Sequence, residues 1–154
     1  MTDITAITER EVALIARFVE LLKEEQDNLR GVDPAQLPEL GSAKAALVEQ
    51  LNSLEDQRIN ALAMPAGDKP RAAMEKWLAA NPEQLAAAVN WTKLLTLAEE
   101  ARQLHHLNAS LLAIHLQRTQ EALAILHGRA ASETLYGSDG QAATASGSRI
   151  VDSA

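Results

Sequence analysis

The chain has 154 residues, a formal net charge of -7, no cysteine and an aromatic content of 3%. This excludes disulfides, thiolate metal sites and cysteine nucleophiles, and it argues against a nucleic acid or an anionic membrane held by bulk charge. The length corresponds to one domain burying roughly two thirds of its unfolded surface, and no apolar run reaches the roughly 20 residues that span a bilayer.

The opening MTDITAITEREVALIARF has acidic residues and no basic stretch before an apolar core, so it does not read as a secretory signal. Along residues 4–29, Ile7, Leu14, Phe18, Leu21 and Val12, Ile15, Val19, Leu22, Leu29 fall in two adjacent helical rows, the mark of a helix with one buried face. Arg30 then Gly31 predicts its end, a basic last turn followed by a C-cap able to take positive φ. Asp33, Pro34 and Gln36 predict the next start near Pro34, with Asp capping, Pro at the first helical position and Gln reaching back. Pro38 and Gly41 predict a break or kink before a strong segment at 43–63, striped by Leu47, Leu51, Leu54 and Ala61, with Val48, Ile59 and Leu62 beside them.

Residues 64–70 form a loop by composition. A short helix is expected at about 71–80, with Met74, Trp77 and Leu78 on one side. Asn81, Pro82 and Gln84 repeat the capping signature, so a new helix is expected there. From Glu83 to His127 there is no Pro or Gly, a run of roughly 45 residues or about 68 Å at the helical rise. The rows Leu97, Ala101, Leu104, Asn108, Leu111 and Leu112, Leu116, Thr119, Leu123, Leu126 each step by 4, 3, 4, 3, the second displaced by one position. That displacement spreads the stripe around the helix, as different partners along its length require. Gly128 predicts the end. Residues 129–154 are rich in Ser, Gly, Ala and Thr, with Leu135, Tyr136, Ile150 and Val151 as the sizeable apolar residues. They read as a flexible tail that cannot offset its own ordering entropy. The expected fold is all-α, an antiparallel helical bundle or hairpin built on the long C-terminal helix, with a bundle domain at 1–128 and the tail at 129–154.

Catalytic chemistry finds little footing. His105, His106, His115 and His127 lie on the long helix, but no Glu stands three residues before any of them and no two are four apart, so the Glu-x-x-His pattern of di-metal bundles is missing. Glu24–Glu25 and Glu99–Glu100 are sequence neighbours about 100° apart on a helix and do not converge on one proton. Neither a nucleophile elbow, a phosphate loop nor a dinucleotide fingerprint is present. The reading is a non-enzyme with no metal and no cofactor. Trp77 and Trp91 are either core fillers or partner anchors. Asn108 and Thr119 interrupt the apolar rows, where a polar residue fixes register, marks an exchanged contact or faces solvent.

The lower part of the long helix is more informative. Leu111, Leu112, Ile114, Leu116, Leu123, Ile125 and Leu126 point all around it, and two preceding helices of about 40 Å cannot cover both ends of a 68 Å partner. Uncovered apolar surface of this kind marks a protein interaction site, with helix-on-helix capture as its mode. The same stripe allows a weak homodimer, and hence a self-associating helical module as the rival function.

The stretch His106, Leu107, Asn108, Ala109, Ser110, Leu111, Leu112, continued by Thr119, Gln120, Glu121, Ala122, Leu123 and Leu126, and then Leu135, Tyr136, Gly137, Ser138, Asp139, Gly140, Gln141, resembles the FlgN family of flagellar export chaperones with its Tyr-Gly-x-x-Gly-Gln tail signature. The specific part of the likeness is 108–141, and Ala109 stands where members often carry Gly. The resemblance implies a cytoplasmic chaperone that binds the helical terminal segments of hook-associated proteins, prevents their premature assembly and delivers them to the flagellar type III export gate. On that reading Leu112, Leu116, Thr119, Leu123, Ile125, Leu126 and Leu135 take the substrate protein. Tyr136, Gly137, Gly140 and Gln141 dock either the substrate or the export apparatus.

Overall fold

The computed structural model describes residues 3–31, 35–64 and 67–135. Among them are four helices and no strand: α1 (Ile4–Arg30), α2 (Leu37–Ala61), α3 (Pro70–Ala80) and α4 (Leu85–Leu135). The chain forms two compact units, Met1–Leu111 and Leu112–Ala154, with α4 contributing to each.

The helix ends follow local chemistry, with several departures from the expected signals. Asp3 caps α1, its carboxylate accepting from the Thr5 N–H at 2.9 Å, which satisfies one of the orphan donors of the first turn. The helix stops at Arg30 as expected, but Gly31 is extended (φ -83) and donates its N–H to the Asp27 carbonyl, so no left-handed cap is used. Asp33 and Pro34 lie outside the described residues. Gln36 is the residue preceding α2 and makes no side-chain capping bond, and Pro38 occupies the first-turn position where a missing N–H costs nothing. The expected break near Gly41 does not occur: α2 is continuous from Leu37, because one helical Gly costs only about 1 kcal/mol while Leu40 and Leu54 are buried.

Asn81 closes α3 rather than opening α4. Its backbone N–H donates to the Trp77 and Leu78 carbonyls, and its Nδ2 donates to the Trp77 carbonyl at 2.8 Å; α4 then begins at Leu85. Gly128 does not end α4, which continues to Leu135. Arg129, Ala130 and Ala131 are strong helix formers that carry the helix past it.

Within the first unit, Glu11 meets Arg58 and Glu25 meets Lys44. Both pairs have position numbers with the same sum, so α1 and α2 run antiparallel in fixed register, which also sets Phe18 opposite Leu51. Asn90 reaches Thr5 and Thr8, Lys23 meets Glu100, and Asn108 reaches Leu22 and Glu25. These pairings advance together, so α1 and α4 run parallel, with α2 antiparallel to both. The spine is therefore antiparallel to only one of the first two helices. Two apolar clusters fill the unit: Ile4, Met74, Ala87 and Trp91 at one end, with Trp77 and Leu78 packed on them, and Ile15, Val19, Leu22 and Ala101 in the middle. Both tryptophans thus serve the core, and α3 closes the end with Met74 wholly buried.

Candidate protein-binding site

Beyond Leu111 the side chains of α4 are open. Leu112, Leu116, Leu123 and Leu126 leave between 46% and 59% of their surface exposed, far above what a core leucine shows. At about 100° per residue these four and Thr119 fall within an arc of about 80°, so the 4, 3, 4, 3 spacing makes one continuous row. Thr119 turns its hydroxyl back to donate to the His115 carbonyl at 2.9 Å, which takes that polar atom out of the row's surface. Ile125, also open at 59%, lies about 140° from the row's centre together with Ile114. The helix therefore does not bring Ile125 onto the face of Leu116 and Leu123. Leu135 is the last residue of α4, while Tyr136, Gly137, Gly140 and Gln141 lie outside the described residues.

Charge along this segment is balanced. From 112 to 135 Arg118 and Arg129 stand against Glu121 and Glu133, on a chain whose net charge is -7, so an incoming helix meets little repulsion there.

The residues that position the upper part of α4 are polar and buried. Asn108 is 2% exposed, and its Nδ2 donates to the Leu22 carbonyl and to Glu25 Oε1, both at 2.9 Å. Glu25 meets Lys44 of α2 at 2.6 Å with its other oxygen, so one layer ties three helices together at the last turn before Leu111. A second layer does the same nearer the other end: Arg58 Nε donates to both oxygens of Glu11 at 3.1 Å, and the guanidinium sits 4.8 Å over the Trp91 ring. Burial pushes the Glu11 carboxyl above its ordinary range, against the pull of Arg58, and the like charge of Glu55 adds to the rise.

Sequence reading left the register role of Asn108 open and missed the Glu11–Arg58 layer. A signal for the latter was present, since Glu11 and Arg58 occupy positions of the apolar stripes and recur two heptads on as Glu25 and Lys44. On the surface, hydrogen bonds from Arg102 and Gln103 hold the Glu99 carboxyl down to about 2. Among the described residues no group of His, Asp and Glu is placed to hold a metal ion, and no helix is long and apolar enough to cross a membrane.

Fold and site define a small acidic all-α protein whose longest helix carries an uncovered leucine row. The chain belongs to the FlgN family: the family model, described as FlgN protein, matches residues 1–144. No curated protein and no solved structure matches the chain significantly. Membership brings the family's general role, that of a chaperone for flagellar proteins in flagellum assembly and export.

Proposed function

We propose that this chain captures the helical terminal segments of hook-associated proteins in the cytoplasm, keeps them from assembling early and hands them to the export gate. The observation that carries this reading is the open row Leu112, Leu116, Leu123 and Leu126 on a neutral stretch of α4. An amphipathic helix that would otherwise polymerise can lay its apolar face along such a row, reading it at helical spacing. In this proposal Leu135, at the end of α4, extends the surface offered to the bound helix, and Tyr136, Gly137, Gly140 and Gln141 serve the substrate or the gate.

The test is co-expression with terminal helical segments of hook–filament junction proteins, followed by affinity capture and mass determination. A stable complex that is lost with Leu123→Asp, or on deleting residues 128–154, supports the reading. The same heptad-like spacing favours self-pairing as the rival. Absence of any complex together with concentration-dependent sedimentation would establish that rival instead.

A further inference from the structure

We infer that the chain carries a second protein-docking surface, on the face shared by α1 and α2, built for an acidic amphipathic helix. A hollow of about 410 Å³ opens there, lined by Arg10, Leu14, Leu54, Gln50, Ser53 and Gln57 with Ala13. Leu54 is buried and Leu14 half-buried, so the floor is apolar and the rim polar, the composition of a helix-receiving groove.

The rim is unusual for this chain. Along α2 the outward row Ala43, Ala46, Gln50, Ser53, Gln57 and Asn60 steps by 3 and 4, is exposed throughout and has no charge, although 23% of the chain is charged. Along α1 the matching row is Ala6, Arg10, Ala13 and Arg17, all exposed. Small residues in both rows let a third backbone come close, and their lengths, about 26 Å along α2 and about 17 Å along α1, suit a partner of roughly three heptads or fewer.

The charge decides the occupant. The lining holds one cation and no carboxylate, and Arg10 has no ion pair among the described residues, whereas Arg17 is met by Glu20 and Glu24. A helix with leucines facing Leu14 and Leu54 and carboxylates along the α1 side meets Arg10, so the groove's preference opposes the one that a net charge of -7 gives. This surface lies within Met1–Leu111 and shares no residue with the leucine row of α4, so it stands whether or not that row takes cargo.

The experiment titrates the full isotope-labelled chain with two synthetic peptides of about three heptads, Leu at the a and d positions of both. One carries Glu and the other Lys at the flanking positions. The expected result is that the Glu peptide shifts amide resonances around Leu14 and Leu54, binds more weakly as salt rises, and loses at least about tenfold in affinity with Ser53→Glu. Arg10→Glu is expected to reverse the preference in favour of the Lys peptide at the same resonances, an outcome that loss of structure cannot mimic; unchanged circular dichroism checks both variants. The inference is overturned if the Glu peptide shifts only residues beyond Leu111, if the Lys peptide occupies the groove more tightly in the unaltered chain, or if neither binds at millimolar concentration. It is overturned equally if the chain self-associates through the groove, seen as sedimentation that becomes concentration-independent with Ser53→Glu.

Discussion

Glu11 and Arg58 place charge where the stripes of α1 and α2 otherwise place hydrocarbon, with side chains 3% and 5% exposed. Removing one member leaves the other buried and unpaired, at a cost of about 3–5 kcal/mol, whereas replacing both by apolar groups of similar volume is often neutral or stabilising. Glu11→Ala is therefore expected to lose about 3–5 kcal/mol in urea unfolding, and Glu11→Leu combined with Arg58→Met to stay within about 2 kcal/mol of the parent, part of that being the guanidinium's attraction to Trp91. The pH dependence has a definite sign. Because burial raises the folded-state value of Glu11 above 4.5, the folded chain holds the proton more tightly than the unfolded one. The stability this confers is fully present below pH 4.5 and is lost as pH rises through the folded value. Measured against Glu11→Gln, which cannot titrate, the parent is expected to lose stability with rising pH over that interval; a difference that instead grows with pH would mean that Arg58, not burial, sets the group.

At the scale of elements, the order and number of helices were legible because the 3.6-residue stripes and the long run without Pro or Gly are tertiary signals written locally. Their ends were less so. Asn81 and Pro82 look like the opening of a helix, yet Asn81 spends its amide on the Trp77 carbonyl and closes α3; the same residue types serve both ends. Gly41 and Gly128 looked like interruptions, but a helix packed or flanked by strong formers absorbs one glycine. Nothing in the sequence marks Ala63, which follows α2 with φ 49, a left-handed conformation that disfavours any residue with a Cβ. Ala63→Gly is expected to stabilise the chain by about 0.5–1 kcal/mol, the relief of strain exceeding the added freedom of the unfolded state, readable as a raised denaturation midpoint. A Cβ at Gly128 meets nothing within 4 Å, so Gly128→Ala is expected to favour α4 by about 1 kcal/mol locally. Amide exchange between residues 112 and 135 should slow, and unchanged exchange would mean that the helix there is limited by something other than its glycine.

For the whole molecule, the division of labour along α4 carries the functional argument. Up to Leu111 its inward side chains join a core whose register is fixed by two polar layers; from Leu112 onward the apolar row is open. The sequence showed that surplus apolar surface must exist, since it follows from comparing helix lengths. It also set Leu112, Leu116, Thr119, Leu123 and Leu126 on one face by their 4, 3, 4, 3 spacing, but Ile125, grouped with them by its apolar character, falls on the side away from Leu123, so the row proposed for cargo is narrower than its apolar content suggests. Position therefore decides what one substitution does. Leu22 is wholly buried, and Leu22→Asp would put an unpaired carboxylate in the core, a change severe enough to unfold a domain of ordinary stability. Leu123 is half open, and Leu123→Asp is expected to move the unfolding free energy of the first unit by less than about 0.5 kcal/mol while cargo capture falls below detection, because a carboxylate at the middle of the row must be desolvated against the incoming helix. Denaturation monitored by the fluorescence of Trp77 and Trp91, both in the first unit, run beside the capture assay, separates the two effects. Capture that survives Leu123→Asp would remove the row from the cargo site, and a drop in stability comparable to that of Leu22→Asp would show that residues past Leu111 belong to the core.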